Sequence, residues 1–481
     1  MRKSVIGICL SIPLACASLV ACGSDSDSGG DSAGSTSKGG SGGKASGGAP
    51  SGGKANGDAG SDAKGGALQG GAGDTGDAGE TGDAGAGGAL ELPRETQSAV
   101  YTMSNDAAAN KIFGFLRDAE GGLTPMAAPF ATGGKGSGAA LGEQGALAYD
   151  LPGNRIYTVN AGDNSFSVFG VNEDGSLGAA LNVTTAGFGA GAAALVGPKS
   201  ITFHGDTVYV LYEGSGTVAS MIAGWTVAKS GATFTATAIA GSALALSSDV
   251  KSVDPAQIEF TPDGKWLVVT EKQSGALGGV AGPGSIDSFA VSASGVATKK
   301  GFYPTAKVGA TDAFQMTPFG FEFLGSTLVV SEAGSTGTGT YTYAGGVIAP
   351  VATGQFLPTD PAPCWVAVAG NYAYVTNTRG PNISGFSVST TGSLTGIGPI
   401  NNSIVASTGE AIPDPGGTIF HGPTDEFVSE DGKYLYVLNS AVPSIGAFQI
   451  EANGTLSRIG AKDYSAPIAS LPKGAAGIVA R

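Results

Sequence analysis

Seven short apolar strands, each stopping at a polar or aromatic residue, recur along this chain and constrain what it can fold into. Their endings read Thr102-Met103-Ser104-Asn105, Tyr157-Thr158-Val159-Asn160, Tyr209-Val210-Leu211-Tyr212, Val268-Val269-Thr270-Glu271, Val329-Val330-Ser331-Glu332, Tyr374-Val375-Thr376-Asn377 and Tyr436-Val437-Leu438-Asn439. The steps between final residues are 55, 52, 59, 61, 45 and 62. A unit of that length, made of short strands, cannot bury its apolar face alone. Set side by side in a ring, such units make a β-propeller with one blade per repeat. The expected fold is therefore all-β: a seven-bladed β-propeller of four-stranded antiparallel blades. No capped run of helical period appears in the repeats, so helix should be scarce.

Each repeat parses further. Pro255-Ala256-Gln257-Ile258-Glu259-Phe260 leads through Thr261-Pro262-Asp263-Gly264 into Lys265-Trp266-Leu267-Val268-Val269-Thr270-Glu271. Pro-Asp-Gly between apolar runs is a hairpin signal, because Pro presets φ and Gly supplies φ > 0. Equivalent first strands lie at 143–149, 197–203, 317–323, 362–368 and 422–428, and third strands at 166–171, 286–291, 383–388 and 445–450. A fourth strand follows a Gly turn, as at Asp174-Gly175 and Asn453-Gly454. The first repeat has no first strand of its own. Residues 472–480 look like a spare one, so the C-terminal strand is expected to close the ring and remove its open edge.

The N-terminal part has a different character. Arg2 and Lys3 precede an apolar run over 5–20, interrupted by Pro13 and too short for a confident membrane span. It ends in Leu19-Val20-Ala21-Cys22, which resembles a bacterial lipobox. Residues 1–21 thus read as a lipoprotein signal peptide, with Cys22 as the lipidation site and the lipid bilayer as a partner. Residues 22–94 read as a tether: 23–91 is Gly, Ser, Ala and Asp with scattered Lys, and holds no aromatic, Val or Ile. Such a segment buries too little apolar surface to offset its ordering entropy. As a flexible coil it spans roughly 45 Å. The expected location is the bacterial cell envelope, lipid-anchored, on the periplasmic or cell-surface face. Residues 95–481 form the propeller. Cys9 and Cys16 would leave with the signal peptide, so Cys364 would stand without a disulfide partner.

Residues 95–481 carry 18 Lys and Arg against 29 Asp and Glu, a net charge of −11. That disfavours nucleic acid and anionic membrane surfaces. No His/Cys cluster, calcium-loop spacing, phosphate loop, dinucleotide fingerprint or serine elbow is present, so no metal and no cofactor is expected. A monomer is expected.

The block 255–271, Tyr374-Val375-Thr376-Asn377-Thr378-Arg379-Gly380 with Ile383-Ser384-Gly385-Phe386, and Gly422-Pro423 together resemble the lactonase family of seven-bladed propellers. That family includes 6-phosphogluconolactonase and carboxymuconate cyclizing enzymes, and the resemblance runs from about residue 99 to the end. It implies an active site where first strands begin and second strands end. The family's Gly-Pro-Arg-His becomes Ala256 and Gln257 at its last two positions, which removes the imidazole. Glu271 and Arg379 remain as the carboxylate and guanidinium, and they are the candidate catalytic residues.

First-strand starts and second-strand ends share one face. The expected ring at the channel mouth is Asn105, Asn160, Tyr212, Glu213, Gln257, Glu271, Lys272, Glu332, Trp365, Asn377, Arg379, Asp425 and Asn439. Were Glu271 and Glu332 to converge, they would form an acid–base pair. Glu259 and Glu322 share a column on first strands and are expected to satisfy groups between blades. Trp365 is a surface for a flat ligand or an inter-blade packing group. His204 falls on the far face, and His421 is the one His on the mouth side. Two functions follow. The first is a ligand- or protein-binding scaffold domain that has lost the catalytic Arg-His pair. The second is a hydrolase, or less readily a cycloisomerase, acting on a non-phosphorylated lactone.

Overall fold

The turn at Asp263-Gly264 forms as its chemistry requires. Gly264 sits at φ +68° and Asp263 Oδ1 accepts the Thr261 hydroxyl at 2.7 Å. The turn joins Pro255–Phe260 to Trp266–Glu271 as an antiparallel pair. The computed structural model describes residues 97–481, apart from 216, 247–253, 273–283, 306–316, 352–355, 381, 399–402, 406–411, 414–418, 421, 440–442, 461–470 and 473. The expected signal peptide, Cys22, the expected tether and His421 lie outside the described residues.

Seven such sheets form the blades, each with four strands on its main path. The innermost strands, from blade 1 to blade 7, are Ala476–Ala480, Leu147–Asp150, Pro198–His204, Pro255–Phe260, Pro318–Leu324, Pro363–Ala369 and Pro423–Val428. The second strands are Ala99–Met103, Arg155–Asn160, Thr207–Tyr212, Trp266–Glu271, Thr327–Glu332, Tyr372–Asn377 and Tyr434–Asn439. The one helical stretch among the described residues is a 3-10 segment, Thr185–Ala194.

Blade 1 takes its inner strand from the C-terminus, as the sequence led us to expect. Val100 pairs with Ala480 and Thr102 with Ile478, and a bulge at Gly477 shifts the register. Gly477 holds φ +67°, and a Cβ there would lie 2.7 Å from Leu147 Cδ1 and 2.9 Å from its backbone nitrogen. Thr102 Oγ1 donates to the Gly477 carbonyl at 2.7 Å, and Arg117 Nε to the Arg481 carbonyl at 2.8 Å.

Neighbouring blades are latched by one repeated device. A tyrosine on the second strand donates to the carbonyl of the next blade's outer-turn glycine: Tyr101 to Gly175, Tyr209 to Gly295, Tyr374 to Gly454 and, across the closure, Tyr436 to Gly121, at 2.6–3.1 Å. Each neutral bond of this kind contributes about 1 kcal/mol net. Where the tyrosine is missing, Ser288 bonds Gly346 and Thr340 bonds Gly392. Apolar clusters fill the space between sheets; one joins Tyr209 and Leu211 of blade 3 to Ile258, Leu267 and Val269 of blade 4.

In the full-length chain Cys364 is disulfide-bonded. The expectation that it lacks a partner concerns the chain after Cys9 and Cys16 have left with the signal peptide, and those residues lie outside the described ones.

Candidate functional site

The inner strands present free backbone edges to the central channel, and those edges must be paired. Side chains of one blade do this for the next. Ser200 Oγ accepts the Ile258 amide at 3.2 Å, and Thr202 Oγ1 the Phe260 amide at 3.1 Å. Gln257 serves both groups of Phe321: its Nε2 donates to the carbonyl at 2.9 Å and its Oε1 accepts the amide at 2.7 Å. The matching position in blade 5 is Gly320, which has no side chain to offer. Gln144 supplies it instead, from the segment leading into blade 2. Its Oε1 accepts the Val366 amide at 2.9 Å and its Nε2 donates to the Val366 carbonyl at 2.7 Å. A Cβ on Gly320 would lie 2.0 Å from Gln144 Oε1, so the glycine is what admits this side chain.

The rest of that segment crosses the channel with it. Lys272 Nζ donates to the Gly142 carbonyl at 2.8 Å, Trp365 Nε1 to the Glu143 carbonyl at 2.6 Å, and the Gln144 amide to the Ala256 carbonyl at 3.1 Å. Residues 141–144 are buried. They form a stopper at the end where inner strands begin, the face that the lactonase resemblance assigns to chemistry. Beside it lies a charge network. Asp254 Oδ1 takes Lys272 Nζ at 2.8 Å and Lys199 Nζ at 3.0 Å, and Glu213 lies 3.5 Å from Lys199. Burial alone would raise the Asp254 pKa, but the two ammoniums outweigh it and hold it at about 2. Burial, with Asp425 nearby, pushes Glu143 well above the ordinary carboxylate range, against the pull of Lys199 and Lys272. Burial also lowers Lys272, because desolvation exceeds the attraction of Asp254.

The polar residues ending second strands turn sideways within their own blades. Four of them meet the first residue of the third strand: Asn160 donates to Ser165, Ser285 to Glu271, Asn377 to Asn382 and Asn439 to Ser444, at 2.7–3.4 Å, whereas Asn105 pairs with Ser137, donating to its hydroxyl at 2.9 Å and accepting its amide at 2.8 Å. Glu332 instead accepts the Tyr341 hydroxyl at 2.6 Å, and burial raises its pKa to about 8. Glu271 and Glu332 are not brought together. Glu271 shares its sheet face with Val269, which packs on blade 3, and Glu332 shares its face with Val330, which packs on blade 4. The sheet of blade 4 stands between them. Arg379 is exposed in the turn after Asn377. Trp365 is 3% exposed and stands edge-on to Phe319, with ring centroids 5.2 Å apart. The structure therefore gathers Gln257, Lys272 and Trp365 at the stopper, with Glu213 and Asp425 beside it, and leaves Glu271, Glu332 and Arg379 apart from it.

Below the stopper lies a cavity of ≈260 Å³. Gln144, Gln257 and Asp425 border its buried end, Glu259 and Glu322 its middle, and half-buried Phe203, Phe427 and Val428 the end where the strands finish. Gln257 and Asp425 are the expected mouth residues that border it. Burial raises Glu259 well above the ordinary range, with Glu322 adding repulsion, and raises Glu322 to about 8. Gln144 escaped the sequence reading. Its one signal was Gly320, a glycine in a slot that carries Ser200, Gln257, Trp365 or Asp425 in other blades.

No protein-family model matches the chain, and no curated protein matches it in sequence. Solved structures do match in shape. A 6-phosphogluconolactonase-like protein from Bacteroides fragilis aligns at 19% identity with TM-score 0.54, over 81% of this chain and 99% of that one. Its counterpart from Bacteroides uniformis aligns at 16% identity with TM-score 0.56, over 80% and 100%. A Lactobacillus plantarum protein aligns at 15% identity with TM-score 0.55, over 80% and 99%. At such identities the likeness carries the fold alone: the chain has the seven-bladed architecture of the 6-phosphogluconolactonase-like propellers.

Proposed function

We propose that this propeller is a binding domain rather than a lactonase, tethered to a bacterial membrane through Cys22. The observation that carries this reading is the stopper. Gln144 pairs with the Val366 backbone from across the ring, and Trp365 is bonded to the same segment. Gln257, standing where the resemblance places an imidazole, is committed to the Phe321 backbone and has no proton to exchange. Glu271 is buried and accepts the Ser285 hydroxyl.

The test is a panel of phosphorylated and neutral lactones offered to the purified full chain, beside Glu271→Gln and Arg379→Ala. The binding reading expects no turnover above background. Turnover abolished by either substitution would establish the hydrolase instead. For the anchor, Cys22→Ala should lose lipid labelling and leave the membrane pellet, since stable anchoring needs more than one acyl chain on that residue. Labelling that persists in this variant would refute the lipid anchor.

A further inference from the structure

The cavity on the far side of the stopper is rich in acceptors and poor in donors. Glu259 and Glu322 hold the same register position on adjacent inner strands, opposite Val268 and Val329 of their second strands. Each meets only a long amide contact, Gln257 Nε2 at 3.3 Å and Gln144 Nε2 at 3.4 Å. Glu426 borders the same cavity and is 2% exposed, and the group set against its carboxylate is the Thr376 backbone amide of blade 6. Asp425 is occupied by the Glu426 amide at 2.9 Å. Among the described residues no Lys, Arg or His borders the cavity. A buried carboxylate short of partners is costly, and a ligand that brings donors or positive charge removes that cost.

We propose that this cavity binds an organic cation, a primary amine whose ammonium lies between Glu259 and Glu322 and whose apolar arm passes Phe203 and Phe427. The proposal rests on the reading of the domain as a binding module and names the ligand class. Two observations favour an organic cation over a bare metal ion. Among the described residues no three His, Cys, Asp or Glu side chains are grouped to hold a metal. The wall toward the open end is apolar and aromatic, with Tyr149, Phe203, Phe427 and Val428. Aromatic faces attract ammonium groups and shelter an alkyl or aryl arm. At ≈260 Å³ the cavity falls just below the range usual for drug-sized ligands and so suits a small amine. Without a cation, desolvation in the half-buried cavity raises both carboxylates above the ordinary range, Glu322 to about 8. An ammonium that displaces a proton gains a charge-assisted bond in a low-dielectric site.

The experiment is isothermal titration of the purified full chain at neutral pH with benzylamine, and with benzyl alcohol as its neutral counterpart. Benzylamine should bind with release of a proton, seen as a heat that changes with the ionisation enthalpy of the buffer. Benzyl alcohol should bind at least tenfold more weakly. The double variant Glu259→Gln/Glu322→Gln keeps the shape of the cavity, and its melting curve without ligand reports whether it folds. Folded, it should lose at least tenfold in benzylamine affinity. Single Glu426→Gln supplies a second measure should the double variant misfold, and it should weaken binding in the same direction. Equal binding of amine and alcohol, undiminished binding in the folded variants, or calcium or zinc binding where benzylamine does not, would each overturn the proposal. Absent amine binding together with absent lactone turnover overturns the cation site alone. Absent amine binding with lactone turnover overturns the binding reading as well.

Discussion

The two ends of the channel are built from the same seven inner strands and differ in chemistry. Where the strands begin, Lys272, Trp365, Gln257 and Gln144 find acceptors on the protein itself, and a segment of the chain lies across the opening. Further along, Glu259, Glu322 and Glu426 face a cavity with few donors. Propeller geometry fixes which positions meet around the axis. The residues placed there decide whether an end is closed by the protein or left open to a ligand. The closed end is also the one that the lactonase resemblance marks for chemistry. A shared fold does not by itself carry over a function.

Both ends depend on an unbroken ring, so its closure should give the largest effect. Deleting residues 472–481 removes the strand paired with Val100 to Met103, the Thr102–Gly477 bond and the acceptor of Arg117. Blade 1 is left with an open edge along the channel. We expect aggregation, or loss of the cooperative melt, well beyond the ~1 kcal/mol of a typical substitution. Deleting 23–89 should leave the melting temperature unchanged. A C-terminal deletion that melts like the parent would break the closure argument, and with it the idea of two distinct channel ends.

The stopper is tested next, by a double-mutant cycle. Gly320→Ala drives a Cβ to 2.0 Å from Gln144 Oε1 and 2.6 Å from the Cys364 carbonyl. Overpacking of this kind costs about 1–3 kcal/mol. Gln144→Ala leaves the Val366 amide and carbonyl unpaired, which costs about 1–3 kcal/mol. The Gln144 clash vanishes in the double variant while the Cys364 clash remains. Relief should therefore be partial, with a coupling of roughly 0.5–3 kcal/mol. Urea unfolding measures all four corners. Hydrogen exchange at Val366 should quicken whenever Gln144 is absent. Costs that simply add would mean that Gln144 does not fill the slot vacated at Gly320.

The blades were legible because each strand carries its own local signal. Alternation, the Pro-Asp-Gly turn and the outer-turn glycines predict Pro255–Phe260 and Trp266–Glu271 with hardly a shifted boundary. The spare strand at the C-terminus was readable for the same reason. The direction of the strand-ending side chains was not. Asn160, Glu271, Asn377 and Asn439 lie at the expected end of the ring, yet each turns to its cross-strand neighbour, a choice that depends on Ser165, Ser285, Asn382 and Ser444. Gln144 acts on Val366, 222 residues away. No spacing rule reaches that far, and only the missing side chain at Gly320 hinted at it. Glu259 and Glu322 were legible as a column, and the structure adds the cavity that they face.

The last effect to look for is a pair of opposed pH slopes. Asp254 is held at about 2 by its two lysines, below its unfolded value. A depressed carboxylate contributes stability above its unfolded pKa and loses it as pH falls through the folded one. With its side chain 24% exposed, the contribution is about 2 kcal/mol, lost between roughly pH 4 and pH 2. Glu322 behaves in the opposite sense. Its folded pKa, about 8, lies above the ordinary 4.5, so the native state holds a proton there that the unfolded chain has released. That contribution is complete below pH 4.5 and is lost as pH rises toward 8. Glu332, also near 8, adds to the same slope from the other end of the channel. Urea midpoints of the parent chain should therefore fall on both sides of mildly acid pH. Glu322→Gln, which cannot ionise, should flatten the alkaline slope in part and leave the acid slope intact. The residual alkaline slope should shrink again on adding Glu332→Gln. An alkaline slope that Glu322→Gln does not change would mean that Glu322 is already ionised in the native cavity. The cavity would then be better solvated than its walls imply, and the contrast between the two ends would narrow to the stopper alone.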